Sequence, residues 1–133
     1  MIRAVADSHA MLWYIFTDPR LSHTARRTIE NAMASGDQIA ISSITLAEII
    51  YLSEKGRVHS DTFTRLLLAL ENPDPLFVEV PFDRHIAEAM RKVERNEIPD
   101  LPDRIIAATG LHLGVPVITA DRKIRLSAVS TIW

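Results

Sequence analysis

The chain has 133 residues, 47% of them hydrophobic, so it can bury a core without staples and is not a disordered segment. It contains no cysteine, which excludes disulfides, thiolate catalysis, zinc–cysteine sites and iron–sulfur clusters and fits a reducing cytoplasm. With 15 Lys and Arg against 17 Asp and Glu the net charge is −2, so no global basic field draws in nucleic acid; any polyanion must be held by local patches or through a metal.

In chain order, Ile2 to Ala6 is an apolar run that reads as a buried strand and ends at Asp7. Ser8 to Phe16 reads as a short, very apolar helix stopped near Asp18-Pro19. Ser22 caps a second helix that runs to about Ala34 and ends at Gly36. Gln38 to Ser42 is a second strand. Ser43 caps the next helix, which reaches Lys55 and stops at Gly56. Ser60 caps a helix through Glu71, ended by Asn72-Pro73. Leu76 to Val80 alternates apolar and polar residues as a strand does. Asp83 opens a helix to about Arg95, and Asn96 to Pro102 is a loop carrying two prolines. Pro102 and Asp103 start another helix, closed by Gly114. Val115 to Thr119 is a strand, followed by a basic turn and a last strand near Ser130 to Trp133.

Strands alternating with helices predict an α/β protein with a mainly parallel central sheet covered on both faces, a three-layer α/β/α sandwich. No linker, repeat or low-complexity segment divides residues 1–133, so one domain is expected. No apolar run approaches the roughly 18 to 20 residues that span a bilayer. Asp7 and His9 break the only stretch that could serve as the core of a signal peptide. The expectation is a soluble, cytoplasmic protein with no membrane partner.

Four acids stand where an unpaired charge is costly: Asp7, Glu48, Asp103 and Asp121. Lone buried carboxylates are normally paired, protonated or bound to a metal. Asp7 and Asp121 follow strand-like runs, and ligand sites in parallel sheets lie at the carboxyl ends of strands. Glu48 falls in the helical stripe Ile44, Ala47, Glu48, Tyr51, Leu52, and Asp103 in the stripe Asp103, Ile106, Ala107, Gly110, Leu111. Leu46, Ile49 and Ile50 make the other side of the Glu48 helix apolar too, so that helix is expected to be buried nearly all round. Singly, each acid has a plainer reading. Asp7 and Asp121 can be caps, Glu48 can pair with an arginine, and Asp103 can complement a helix dipole for about 0.3–1 kcal/mol. Together they read as a cage for a hard divalent cation, Mg²⁺ or Mn²⁺, since no nitrogen or sulfur donor accompanies them.

The remaining chemistry narrows by elimination. The five histidines form no HxxxH or HExxH pair, the four glycines build no phosphate-cradling loop, and no GxSxG is present. Hydrolysis of a phosphodiester by metal-activated water is left. Arg104 beside Asp103, and Arg122, Lys123 and Arg125 after Asp121, are placed to hold flanking phosphates. Arg91, Lys92 and Arg95 read as a solvated helix face.

Four stretches carry a family resemblance: DSHAMLW from Asp7, ISSITLAEI around Glu48, DLPDRIIAAT from Asp100 and VITADRKI around Asp121. In that order and over nearly the whole chain, they resemble the PIN domain, specifically the VapC-type ribonuclease toxins of type II toxin–antitoxin pairs. The resemblance implies that Asp7, Glu48, Asp103 and Asp121 are the acidic quartet, with Asp7 and Asp103 as direct metal ligands. It also implies an RNA substrate, a homodimer and a small inhibitory antitoxin. Leu101-Pro102 stands where many relatives have Pro-Phe, and the fourth motif has a single aspartate where some relatives carry two.

Two other classes remain open on the residues alone. A receiver-like phosphoacceptor domain also gathers acids and Mg²⁺ at strand ends, although here the first strand ends in one aspartate and Leu76 to Val80 ends in Pro81. A non-catalytic RNA-binding scaffold would keep the fold and lose the chemistry.

Overall fold

The computed structural model describes residues 1–133. Its central strand is β1 (Ile2–Ala6), whose Ala4, Val5 and Ala6 are wholly out of solvent. On one side β1 pairs with β2 (Gln38–Ser42), which pairs with β3 (Phe77–Val80); on the other it pairs with β4 (Val117–Ile118), which pairs with β5 (Thr131–Ile132). Every pairing is parallel and the order is β3-β2-β1-β4-β5.

Side chains alternate across a strand, and that alternation makes two cores from one sheet. Ala4, Ala6, Ile39, Ile41 and Ile118 point to one face. There they meet α1 (Ser8–Ile15), α2 (His23–Ala34), α3 (Ser43–Glu54) and α4 (Thr62–Glu71), through Met11, Ile29, Ile49 and Leu66. Val5, Ala40 and Val117 point to the other face, against Ile106 of α6 (Leu101–Leu113). Outside α6 lies α5 (Arg84–Met90), whose Ile86 and Ala89 close over Ile105 and Ala108. The chain is therefore the three-layer α/β/α sandwich with a parallel sheet. No helix is long and apolar enough to cross a membrane.

Several element ends differ from their expected places, each for a local reason. Ser42, not Ser43, caps α3, accepting from the Ile44 N–H at 3.2 Å; the Ser43 hydroxyl instead accepts from the Phe82 N–H at 2.9 Å. Ser60 caps nothing. Asp61 takes the cap position of α4 but makes no capping bond, because its carboxylate is held by His59 Nδ1 at 2.7 Å. The helix expected to reach Arg95 stops at Met90: the N–H groups of Arg91, Lys92 and Val93 turn to the carbonyls three residues back, and Arg104 caps the free sides of the Met90 and Val93 carbonyls. The basic turn is a short helix, α7 (Arg122–Arg125). The Glu48 helix, α3, is not buried nearly all round: Thr45 and Ile49 face inward, while Ile50 and Tyr51 are exposed.

Gly110 sits mid-helix in α6, where glycine costs up to about 1 kcal/mol relative to alanine. A Cβ there would stand 2.7 Å from Val117 Cγ2 and 3.1 Å from the Val115 carbonyl oxygen. The missing side chain is thus what lets α6 lie on β4. Gly110→Ala is expected to lower unfolding free energy by about 1–2 kcal/mol, overpacking outweighing the helix-propensity gain. Chemical denaturation with an unchanged slope checks this. The double variant with Val117→Ala should recover part of the loss, and a stabilised single variant would show that helix and strand are not pressed together.

Candidate metal centre

After β1 the chain crosses to β2 on one side, and after β4 it crosses to β5 on the other. Such a reversal opens a crevice beyond the carboxyl ends of the two central strands. Asp7 is the residue after β1, and Thr119, Ala120 and Asp121 follow β4. Glu48 projects from α3, which begins directly at the end of β2. Asp103 projects from the first turn of α6. All four line a single cleft of about 640 Å³, so the structure brings together every acid singled out by the sequence.

Asp7 is almost fully buried. One of its oxygens, Oδ1, accepts from the Ala10 N–H at 2.8 Å and caps α1. Burial pushes its carboxyl above the usual range, while the Thr119 hydroxyl, the Ala10 N–H and His9 oppose that shift. Thr119 is itself buried, and its oxygen also accepts from the Asp121 N–H at 2.9 Å. Asp121 Oδ1 in turn caps α7 at Ile124. Glu48 is half-buried. Its carboxyl is raised by burial, lowered by Ser8 and raised by Asp100. Ser8 Oγ donates to Glu48 Oε1 at 2.6 Å and lies 2.9 Å from Thr45 Oγ1. Because the single Ser8 proton is committed to Glu48, the Thr45 hydroxyl donates to Ser8.

Asp103 feels the sum of the others. Burial, then Asp100, Asp121, Glu48 and Asp7, raise its carboxyl from 3.8 to about 7. No three of these carboxylates converge into a ready-made metal cage. The hydrogen bonds explain the spacing, because Asp7, Asp121 and Glu48 are each drawn toward a local donor and like charges push apart. The four acids offer only oxygen donors and are held near a common opening. That chemistry fits a hard divalent cation, which retains several waters and needs only one or two direct carboxylates.

Some neighbours were not legible. Asp100 is a fifth acid in the cleft, although its Oδ2 caps α6 by accepting from the Asp103 N–H at 3.1 Å. Ser8, His9 and Trp13 also line it. The spacing of two acids three apart, Asp100 and Asp103, was a usable signal for the first; the Ser8–Thr45 contact spans 37 residues and left none. Arg122 and Lys123 stand at the rim as expected. Arg104 does not. Its Nε donates to the Val93 carbonyl at 3.0 Å and its Nη2 to the Met90 carbonyl at 2.9 Å, so it ties α6 to the end of α5 and does not line the cleft.

The chain belongs to the PIN domain family, whose model matches residues 4–129. It is similar to Ribonuclease VapC22 of Mycobacterium tuberculosis, 27% identical over 125 residues that cover 94% of this chain and 92% of the relative. Among solved structures it resembles VapBC2 from Rickettsia felis bound to a DNA fragment from their promoter, with TM-score 0.71, 20% identity and coverage of 98% and 96% of the two chains. It also resembles FitAcB from Neisseria gonorrhoeae, with TM-score 0.62, 21% identity and the same coverage. At these identities the solved structures establish the fold.

The raised Asp103 carboxyl has a consequence for stability. Its ordinary value is 3.8 and its folded value about 7, so between them the folded state binds the extra proton and stability falls as pH rises. In chelator, Asp103→Asn should therefore melt with the parent near pH 3.8 and above it beyond pH 7, the gap opening in between. Thermal melts across that range test it, and low salt should widen the gap because Asp103 is partly exposed. A variant less stable than the parent at every pH would make Asp103 a structural residue only.

Proposed function

We infer that this chain is a metal-dependent endoribonuclease and the toxin of a type II toxin–antitoxin pair. The observation that carries the reading is the meeting of Asp7, Glu48, Asp103 and Asp121 at the switch point of the sheet, with Asp103 pushed up to about 7 by burial and by its acidic neighbours. Strongly perturbed carboxyls in a cleft mark functional sites more often than structural ones. The PIN family membership and the likeness to a ribonuclease supply the reaction class.

Asp7 and Asp103 would hold Mg²⁺ or Mn²⁺ directly, Glu48 would complete the site directly or through water, and Asp121 would stand in the outer shell. Such a cation polarises a phosphoryl oxygen and lowers the pKa of water. The protein's own groups do the positioning. The Thr45–Ser8–Glu48 hydroxyl chain fixes the Glu48 carboxylate, which can then orient the attacking water. The Thr119 hydroxyl favours the charged form of Asp7 and accepts from the Asp121 N–H, and Arg122 and Lys123 offset phosphate charge at the rim. An endoribonuclease of this kind works in the cytoplasm, where its RNA is.

A small antitoxin would block the same cleft by placing a basic residue among the acids, and the active form would be a homodimer. The Klebsiella pneumoniae structure that resembles this chain is a toxin–antitoxin complex, with TM-score 0.60, 24% identity and coverage of 94% and 92%. A receiver-like role has lost its support. β3 lies at the sheet edge and ends in Val80-Pro81, with no acid facing the cleft.

Cleavage of RNA is expected to require Mg²⁺ or Mn²⁺ and to stop in EDTA. Asp103→Asn should lose activity on the order of 10²-fold or more, the scale on which loss of one charge-stabilising group is felt. Its expression should no longer slow growth as the parent's does. At limiting metal, activity should fall as pH drops through about 7, since the protonated Asp103 competes with the cation, and added Mn²⁺ should restore it. Undiminished cleavage in excess chelator, or RNA binding with no cleavage under any metal, would replace this reading with another nuclease mechanism or with a scaffold.

A further inference from the structure

Beside the acidic cleft lies a second cavity of about 370 Å³ that shares His9 and Trp13 with it. The two cavities differ in character. One is walled by five carboxylates with Arg122 and Lys123 at its rim; the other carries Arg57, the Arg20–Asp18 pair, Trp13 and Phe16. We propose that this second cavity is a subsite for the RNA strand, taking one base on its aromatic wall and one backbone phosphate at Arg57, next to the phosphodiester being cut. The proposal rests on the ribonuclease reading of the acidic cleft.

Arg57 is placed by the chain's own stop signals. At the end of α3, Gly56 adopts φ +68°, its N–H donates to the Ser53 carbonyl at 3.0 Å, and the Arg57 N–H donates to the Leu52 carbonyl at 2.9 Å. This paired pattern is a Schellman motif, which fixes the residue after the glycine. The Arg57 side chain extends into solvent and has no carboxylate partner, unlike Arg3, Arg20 and Arg91. An unpaired guanidinium on a rigid turn, beside a cleft whose acids repel phosphate, supplies the local attraction that a chain of net charge −2 needs.

The aromatic wall is set with equal care. α1 ends in the same motif, with the Asp18 N–H on the Trp13 carbonyl at 2.7 Å and the Thr17 N–H on the Tyr14 carbonyl at 3.2 Å. Here the left-handed position is Thr17, at φ 52°, a β-branched residue in a conformation that costs roughly 1–2 kcal/mol. The strained turn delivers Asp18, whose carboxylate takes Arg20 through Nε at 3.1 Å and Nη2 at 2.8 Å. Arg20 then lies 5.0 Å over the Trp13 ring, and Arg65 lies 4.2 Å over Phe16. Flat guanidinium planes and aromatic rings are the surfaces on which unpaired bases stack. In the same wall the buried Thr62 hydroxyl has no hydrogen-bond partner of its own.

The test separates charge from stacking. Equilibrium binding of a short fluorescent single-stranded RNA of mixed sequence is measured across salt concentrations, in the Asp103→Asn background with Mg²⁺, so that the probe stays intact. Adding Arg57→Ala should flatten the slope of log affinity against log salt by about 0.7, the share of one phosphate contact on a single strand, and Arg57→Lys should restore it. Adding Phe16→Ala should weaken binding by about 5-fold or more with the slope unchanged, as loss of one base stack does. Lys92→Ala, which lines neither cavity, should change neither quantity. If Arg57→Ala and Phe16→Ala bind as their background does, the subsite is refuted even where the parent cleaves RNA. The loss of a co-purifying small protein from Arg57→Ala made in its own host would then assign the surface to a protein partner. If the parent never cleaves but both variants shift binding as stated, the nuclease reading falls and the subsite stands. Absence of any RNA binding overturns both.

Discussion

The structure turns on the mutual repulsion of carboxylates in a crevice that partly excludes water. Desolvation and like charge act in the same direction on Asp103, and both would open the cleft if nothing opposed them. What opposes them is the backbone. Asp7, Asp100 and Asp121 each use one oxygen to cap a helix, at the starts of α1, α6 and α7. Three helix N-termini thus point at the cluster, and their unpaired N–H groups and positive dipole ends stabilise anions. Cap and ligand are therefore not competing explanations for these residues. Capping occupies one oxygen of each carboxylate and aims the side chain.

The layers behind the cleft are built to bring those helices close. Ala4, Ala6 and Ala40 in the central strands are small, and Gly110 removes the last side chain between α6 and β4. A larger residue at Ala40 or Gly110 would lift α6, and with it Asp103, away from Asp7, and one at Ala4 or Ala6 would push out the helices of the other face. Small residues in the sheet forgo some apolar burial in return for close approach. The isoleucine-rich helices on both faces, with Ile29, Ile49, Ile105 and Ile106 fully or almost fully buried, restore it. Packing density and site geometry are in this sense one property of the fold.

Much of this was legible because strands and acids are tightly coupled in sequence. Asp7 and the Thr119–Asp121 segment follow apolar runs at once, so strand prediction alone located them at the sheet's carboxyl edge. Glu48 was found by a weaker route. Its supposed stripe includes Tyr51, which is exposed, while the inward positions are Thr45 and Ile49; Glu48 lies on the flank, where a helix borders a cleft. The interruption of apolar pattern was real, but its period was misplaced because Ile50 and Tyr51 are apolar without being buried. Arg104 shows the opposite failure. Adjacency to Asp103 suggested phosphate, yet successive residues on a helix point about 100° apart, and its long side chain reaches back to the carbonyls of Met90 and Val93. Side-chain contacts that bridge distant segments, such as Ser8 with Thr45, leave no local trace at all.

Helix α1 joins the chemistry to its surroundings. Its cap, Asp7, is in the acidic cleft, and Trp13 near its other end belongs to both cavities. Six residues of helix separate them by about 9 Å of axial rise, a distance the helix holds fixed. The strained Thr17 turn stiffens that far end, and the buried Met11 and Leu12 anchor its middle to the sheet. Trp13 and Asp7 are therefore held at a fixed spacing, while Arg57 is held separately by the turn that ends α3. A strand of RNA on the proposed subsite would meet the aromatic end of α1 and, at the cap of the same helix, the acidic cleft.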